Sequence, residues 1–170
     1  FNSLTRKEEP FAPIKKDRVG IYVCGPTVYD VGHLGHARSA VSFDVIRRYF
    51  IYKGYEVTFV SNITDVDDKM IKRAAEEGIS EAALAARIIP EYEKDYAALG
   101  ILPPTHSPRA TGYIPKMVNL IGRLIEMGAA YATSDGIYFE VSKFKNYGKL
   151  SGQRLEDLRA LMLNGDEFIA

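Results

Sequence analysis

Residues 21–38 read IYVCGPTVYDVGHLGHAR and place the signals of a strand, a turn and a helix start in one short span. The segment Ile21–Val23 is β-branched and aromatic, which is typical of a buried strand. This strand is expected to stop at Cys24, because the next two residues are poor strand formers. Gly25 can adopt a positive φ, and Pro26 has no amide hydrogen to give to a sheet ladder. The backbone is therefore predicted to turn here.

A helix is predicted directly after this turn, because apolar residues recur at helical spacing over residues 37–50. His33 and His36 then lie in its first turn, beside backbone amides that have no partner inside the helix. The helix dipole adds about half a positive charge at this end, which attracts phosphate. Gly32 and Gly35 leave room for a ligand near the backbone. The predicted nucleotide-binding residues are Gly25, His33, Gly35 and His36.

The two imidazoles can donate hydrogen bonds to phosphoryl oxygens, and such donors stabilise charge that develops on an α-phosphate during nucleotidyl transfer. His33 and His36 are therefore the predicted catalytic residues. Two other interpretations stay open, a purely structural helix start and one half of a metal site. A metal site needs three or four ligands, and the remaining histidine, His106, lies in a distant proline-rich loop.

A second strand is predicted at Glu56–Val60, so the chain reads as strand, helix and strand, the pattern of a βαβ unit with a parallel sheet. The fold class is therefore α/β. Ligands of such sheets bind beyond the carboxyl ends of the strands, where Cys24, the two histidines and the segment 62–64 are expected to gather. The connecting helix is apolar on more than one face and is expected to be buried between layers.

The acidic segment 62–69, NITDVDDK, precedes the next predicted helix. Thr64 or Asp65 is expected to cap that helix, with Asp67 and Asp68 in its first turn. A divalent-cation site is the less favoured interpretation, because the segment lacks the glycine and the distal glutamate of a calcium loop.

The rest of the chain is predicted to be mainly helical. Three further helices with apolar stripes are expected to contribute to the core, over residues 70–77, 81–99 and 114–125. An interior proline costs about 3 kcal/mol in a helix, so Pro90 predicts a kink or a break near Ile89. Residues 102–111 contain three prolines and are predicted to be a loop. Residues 131–141 are predicted to form a short hairpin.

Composition limits the class of protein. The chain has 170 residues, 46% of them apolar, which suits one domain of moderate size. The formal net charge is zero, so composition gives no argument for RNA binding. No segment approaches the ~20 apolar residues of a membrane span, and no signal-peptide pattern is present. With a single cysteine and no targeting signal, a cytoplasmic protein is the expectation.

The segment CGPTVYDVGHLGHAR resembles the HIGH signature of class I aminoacyl-tRNA synthetases, with Leu34 in place of the usual isoleucine. Continued by FDVIRRYFIYKGYEVTFVSNITDVDDKMIKRA, it is similar to the cysteinyl-tRNA synthetase family from about Phe1 to Arg159. The resemblance implies an incomplete Rossmann-like (HUP-type) parallel nucleotide-binding sheet with a mainly helical insertion. The implied divisions are residues 1–80 for the first half of the nucleotide-binding fold, 81–160 for the insertion and 161–170 for a divergent tail.

The same resemblance implies roles for individual residues. Cys24 corresponds to one of four zinc ligands, the metal then binding the substrate thiolate, whereas a lone cysteine by itself more often is a small buried side chain. The implied substrate-binding residues are Gly25, Thr27 and Thr64. The implied reaction joins cysteine to ATP, with Mg²⁺, to give cysteinyl-adenylate and then transfers the cysteinyl group to tRNA(Cys).

Family segments beyond this likeness, including the KMSKS loop and the other zinc ligands, have no counterpart in the sequence. These 170 residues alone are therefore expected to have little or no aminoacylation activity, and to be monomeric. Two alternatives stay open. One is the cysteine ligase of mycothiol synthesis, although the sequence of Pro26–Asp30 favours the synthetase. The other is a truncated, non-catalytic paralogue that retains nucleotide binding.

Overall fold

The computed structural model describes residues 1–153. Two compact units are present within the described residues, one formed by Pro13–Lys116 and the other by Phe1–Ala12 with the described residues that follow Lys116. The family resemblance also implies a helix that starts at Leu155. That segment and the divergent tail implied for residues 161–170 lie outside the described residues. The division predicted at residue 80 stays a prediction.

The unit Pro13–Lys116 contains the predicted βαβ element. Strand β1 (Arg18–Val23) and strand β2 (Glu56–Ser61) pair in parallel, and helix α1 (Leu34–Tyr52) connects them. Beyond the strands, the amide of Val28 donates to the carbonyl of Thr64 at 3.1 Å, which continues the parallel pairing. The predicted α/β class and parallel sheet are confirmed.

The proline-rich loop lies alongside β2 and the residues that continue it, and it is hydrogen-bonded to them. The sequence did not predict this pairing. The amide of Ser61 donates to the carbonyl of His106 at 3.1 Å, and the amide of Ile63 donates to the carbonyl of Pro108 at 2.9 Å. These bonds form isolated parallel bridges, not a regular strand. The loop also donates, since the amides of Thr105 and Ala110 contact the carbonyls of Phe59 and Ile63 at 2.7 and 3.0 Å. Its prolines have no amide hydrogen and interrupt the ladder.

Two helices follow β2, α2 (Asp68–Glu77) and α3 (Glu81–Ala98). Helix α2 is capped by Asp67, whose carboxylate accepts from the amide of Lys69 at 2.9 Å. The prediction that Thr64 or Asp65 caps this helix is therefore wrong. The helix predicted over residues 81–99 is capped by Ser80, whose side-chain type is typical of a cap and whose hydroxyl accepts from the amide of Ala83.

The core of this unit lies between α2, α3 and the segment after β1. Its buried members are Val28, Met70, Ala74, Leu84, Ala85, Ile88, Ile89 and Tyr92. Helix α3 continues through Pro90, so the helix does not break near Ile89, and the alternative expectation of a kink stays a prediction. Burial of Ile88, Ile89 and Tyr92 around the proline offsets the lost hydrogen bond, because each buried apolar side chain contributes about 1.5–3 kcal/mol.

The prediction that α1 is buried between layers is wrong. Asp44 is its only buried residue, and Val45 and Tyr49 are more than half exposed. The helix packs on β1 and β2, whereas the buried cluster lies on α2 and α3. An apolar pattern specifies which faces can be buried, and it does not specify what covers them.

Helix α4 (Ile114–Glu126) is followed by a hairpin of β3 (Ala130–Ala132) and β4 (Ile137–Phe139). The antiparallel pairing of β3 and β4 confirms the predicted hairpin. No residue of α4 is buried, so the expectation that its apolar stripe belongs to the core is wrong. Across residues 1–153, no helix combines the length and apolarity needed to cross a bilayer.

Candidate functional site

A cavity of about 700 Å³ lies at the ends of β1 and β2, entirely within the unit Pro13–Lys116. The predicted residues Cys24, His33 and His36 all contribute to its wall, together with Gly25 and Thr27. Helix α3 and the proline-rich loop form other parts of the wall. The sheet edge, the helix start and the thiol thus meet at one cavity.

The histidines form a reciprocal cap at the start of α1. His33 Nδ1 accepts from the amide of Gly35 at 3.1 Å, and His36 Nδ1 accepts from the amide of His33 at 3.2 Å. Their rings stack with centroids 3.9 Å apart and an interplanar angle of 28°. The amides of His33 and Gly35 are therefore occupied, contrary to the expectation that they are free for phosphate. The structural interpretation and the ligand-binding interpretation apply to the same residues.

This cap fixes the tautomer of both imidazoles. A backbone N–H can only donate, so the Nδ1 atom that it contacts must carry a lone pair and no proton. The proton of each neutral ring therefore lies on Nε2. His33 and His36 each retain one N–H donor that the helix start does not use.

The pKa of His36 lies below its usual value. Burial disfavours the charged form of the ring, and the positive charge of a protonated His33 beside it adds to the effect. The ring is therefore neutral at pH 7, in the tautomer that donates from Nε2.

We expect His36 to make the stability of this chain depend on pH. Because the pKa of His36 is lower in the folded state than in the unfolded state, the unfolded chain binds more protons below about pH 6.5. Stability is then highest above this pH and falls as the solution becomes more acidic. Thermal unfolding followed between about pH 7.5 and 5.5 measures this slope.

His36→Asn is the matched variant, because the amide oxygen can replace Nδ1 as the acceptor without titrating. We expect its acid-induced loss of stability to be smaller than that of the parent. His106→Asn, which changes an exposed histidine outside the cavity wall, is the control and is expected to keep the parental slope. An unchanged slope in His36→Asn would contradict the prediction.

Gly25 is required by close packing and not by a positive φ, since it is absent from the glycines with that conformation. A Cβ at this position would lie 1.6 Å from the carbonyl oxygen of Asn62. The amide of Gly25 also donates to the side-chain oxygen of Asn62 at 3.0 Å. The sequence pointed to the backbone freedom of Gly25, whereas the structure requires glycine here because a side chain would collide with Asn62.

Asn62 joins the ends of both strands. Its side-chain oxygen accepts from the Tyr22 hydroxyl at 3.0 Å as well as from Gly25, and its amide nitrogen donates to the Thr64 hydroxyl at 3.0 Å. Thr27 lies in the cavity wall, whereas Thr64 is not among the wall residues within the described part of the chain. The hydroxyl of Thr64 therefore supports Asn62 in this structure.

Cys24 is exposed and lies in the cavity wall. Within residues 1–153, no three histidine, cysteine, aspartate or glutamate side chains are grouped as a metal site requires. One thiol does not hold zinc alone, so the described residues do not fit a complete zinc site.

Two buried carboxylates hold the proline-rich loop in place, and sequence reasoning missed both roles. Asp44 on α1 accepts from the amide of Leu102 at 3.1 Å. Asp65 accepts from the amide of Thr111 at 2.9 Å and from its hydroxyl at 2.6 Å. An aspartate inside an apolar helix was the available signal for Asp44, since buried carboxylates need partners.

Comparison with known proteins finds relatives of this chain among the class I tRNA synthetases. A family model described as the catalytic domain of class I (C) tRNA synthetases matches residues 10–166. Cysteine–tRNA ligase of Alkalilimnicola ehrlichii is 56% identical over 160 residues, and cysteine–tRNA ligase 1 of Photobacterium profundum is 54% identical over 161 residues. These alignments cover 94% of this chain and 35% of each relative, so the chain spans about a third of their length.

A solved structure has the same fold over part of the chain. It is Mycobacterium tuberculosis methionyl-tRNA synthetase in complex with methionyl-adenylate, with a TM-score of 0.59 and 26% identity. The match covers 66% of this chain and 23% of the other. Because the family model covers nearly all of the sequence, the chain belongs to the catalytic-domain family of class I tRNA synthetases, in its cysteine (C) branch.

Proposed function

We propose that the cavity binds ATP and its adenylate product, in a protein that activates cysteine and transfers it to tRNA(Cys). The observation that carries the proposal is the stacked pair of His33 and His36, each with an Nε2–H donor left over by the helix cap, in the wall of the cavity that also includes Cys24. The relatives named above are cysteine–tRNA ligases, and the solved neighbour holds an aminoacyl-adenylate. The mycothiol-type ligase is not favoured by these relatives.

In the proposed reaction, a carboxylate oxygen of cysteine attacks the α-phosphorus of ATP. An oxygen–phosphorus bond forms, the bond to the β-phosphate oxygen breaks, and pyrophosphate leaves with the electron pair. Negative charge increases on the α-phosphate oxygens during this exchange, and the two Nε2–H groups would donate to them. Mg²⁺ would accompany ATP and neutralise part of the phosphate charge.

The capped imidazoles suit this role for a structural reason. Their donors are fixed by the cap before a ligand arrives, so little reorganisation is required when the charge develops. The cysteine substrate is proposed to lie near Cys24, Gly25 and Thr27, with Thr64 behind them. Zinc at Cys24 stays a proposal that needs ligands beyond the described residues, and no step is derived from it. A cytoplasmic location and a monomeric state also stay predictions.

Calorimetric titration of this chain with ATP, and with a non-hydrolysable cysteinyl-adenylate analogue, tests the proposal. We expect His36→Ala to weaken binding of the analogue by roughly 10-fold to 100-fold, because a hydrogen bond to a charged group contributes about 1.5–3 kcal/mol. His106→Ala changes an exposed histidine outside the cavity wall and is expected to bind like the parent.

Absence of binding in the parent, or equal binding by the parent and His36→Ala, would contradict the proposal. Binding without pyrophosphate exchange is the result expected of these 170 residues on their own, and normal exchange would contradict the expectation of little or no activity. Melting curves for each variant separate a lost contact from a lost fold, since His36 also belongs to the cap of α1.

A further inference from the structure

Tyr92 contacts His36, and no feature of the sequence assigned it a role beyond the core. It lies on α3 and is only 4% exposed. Its hydroxyl lies 3.3 Å from Nδ1 of His36, and the two rings meet edge to face with centroids 5.5 Å apart. The residue also belongs to the cavity wall.

The direction of this hydrogen bond follows from the contacts of His36. Nδ1 of an imidazole has one lone pair, and the backbone N–H of His33 already donates to it. Nδ1 therefore has no proton to offer, and the Tyr92 hydroxyl must be the donor. Two donors then share one acceptor, which fits their lengths of 3.2 and 3.3 Å at the long end of ordinary hydrogen bonds.

We propose that Tyr92 is a positioning residue that locks His36 in the Nε2–H tautomer and holds its ring for a phosphoryl oxygen. The assignment of the tautomer rests on the geometry alone. The placing of the ring for a phosphoryl oxygen rests on the proposed nucleotide site. Tyr92 touches no reacting atom and acts through His36.

The phenol is held rigidly enough for this task. The Tyr96 ring packs edge to face against the Tyr92 ring with centroids 6.0 Å apart. On another side, a Cβ placed on Gly32 would lie 3.3 Å from Cε1 of Tyr92. Gly32 therefore leaves room for this phenol, where the sequence suggested room for a ligand.

The hydroxyl also stays protonated over the physiological range. Burial raises the pKa of Tyr92 to about 12, and the neighbouring ionisable groups Tyr96, Tyr29, Asp30 and Asp95 act in the same direction. The protonated phenol therefore remains a donor at neutral pH. The bond to Nδ1 is thus present whenever the His36 ring is neutral.

Nitrogen-15 NMR of this chain, labelled at histidine, tests the proposal directly. Only three histidines contribute signals, and His106 serves as an internal reference. In the parent, we expect the Nδ1 and Nε2 resonances of His36 to be widely separated, as in a pure Nε2–H tautomer. Resonances near the average of the two tautomers, or a protonated Nδ1, would overturn the proposal without any mutant.

Tyr92→Phe removes one oxygen and keeps the ring. We expect its His36 Nδ1 resonance to shift and the affinity for the adenylate analogue to fall about 3-fold to 10-fold, the loss of a hydrogen bond of about 1 kcal/mol. Tyr96→Phe is the matched control on the same helix, since its ring packs on Tyr92, and it is expected to leave the His36 resonances unchanged. Equal spectra for the parent and Tyr92→Phe would overturn the proposal.

The two hypotheses fail separately. If the Nδ1 resonance responds to Tyr92→Phe but neither the parent nor any variant binds the analogue, the positioning role is supported and the nucleotide site is refuted. If the analogue binds and its affinity depends on His36 but not on Tyr92, the nucleotide site is supported and the positioning role is refuted.

Discussion

Gly25→Ala is expected to lower the stability of the chain by about 3 kcal/mol or more, a large effect for the addition of one methyl group. The new Cβ would lie 1.6 Å from the backbone carbonyl oxygen of Asn62, and backbone atoms cannot rotate away as a side chain can. Relief requires the ends of β1 and β2 to separate. That movement would also stretch the hydrogen bond from the Gly25 amide to the Asn62 side chain.

Gly20→Ala, in strand β1 just before this turn, is the control. A Cβ on Gly20 meets no atom within 4 Å, and it removes backbone freedom from the unfolded chain. We therefore expect no loss and a gain of up to about 1 kcal/mol. Thermal unfolding followed by circular dichroism should separate the two variants, since 3 kcal/mol corresponds to a decrease of roughly 6–12 °C.

A melting temperature for Gly25→Ala within about 2 °C of the parent would contradict this prediction, since about 1 kcal/mol shifts the midpoint by 2–4 °C. It would mean that the two strand ends are not held as closely as the structure describes. The site geometry depends on this contact, because Cys24 precedes Gly25 and lies in the cavity wall.

Local patterns predicted the part of the fold that local physics determines. The β-branched run before Cys24 and the glycine and proline after it are sufficient to place the end of β1. Helical spacing over residues 37–50, preceded by two histidines, is sufficient to place the first turn of α1. Parallel pairing then follows, because a strand, a helix and a strand in succession favour it.

The parts that failed depend on contacts distant in sequence. Nothing in residues 62–69 distinguishes Asp65 from Asp67 as a cap until Thr111 is known to contact Asp65. Tyr92 has the spacing of a core residue, and its burial is confirmed, but its hydrogen bond depends on a histidine 56 positions earlier. A sequence pattern identifies which face of a helix or strand can be buried. The residues that contact that face depend on the whole fold.

The histidine pair illustrates why structural and chemical interpretations need not compete. The cap uses Nδ1 of each ring and leaves Nε2–H of each ring as a donor. A helix start without histidine could be capped by aspartate, which has no donor when ionised, or by serine, whose single O–H donor lies on the capping oxygen itself. Imidazole instead accepts at one ring nitrogen and donates from the other. The choice of imidazole is therefore better explained when a ligand is included.

Asp44→Asn is expected to cost about 2–3 kcal/mol, because each oxygen of the buried carboxylate faces a donor. One accepts from Nε of Arg48 at 2.6 Å and the other from the amide of Leu102 at 3.1 Å. Asparagine has one such oxygen, so its NH₂ group must face either the guanidinium or the backbone amide. Replacement of the carboxylate by a carboxamide thus brings two hydrogen-bond donors into contact.

Glu56→Gln makes the same chemical change in an exposed pair. Glu56 contacts Arg18 at 3.0 Å with both side chains more than half exposed, and such pairs contribute only about 0–1 kcal/mol. Urea unfolding of both variants compares them under identical conditions. Equal losses of stability in Asp44→Asn and Glu56→Gln would contradict the prediction. They would mean that solvent screens the contacts of Asp44 as strongly as it screens the exposed Arg18–Glu56 pair.

Hydrogen exchange adds a local test of the same contact. Arg48 also donates to the carbonyl of Gly100 at 2.6 Å. Asp44 therefore holds the Arg48 side chain and, directly or through it, the backbone of Leu102 and Gly100 at the start of the proline-rich loop. We expect the amide of Leu102 to exchange much faster in Asp44→Asn than in Glu56→Gln. Because Leu102 and Pro103 line the cavity, release of this loop should also weaken nucleotide binding, although neither histidine has changed. Retained affinity together with rapid exchange at Leu102 would instead place the ligand wholly at the end where His33 and Cys24 lie.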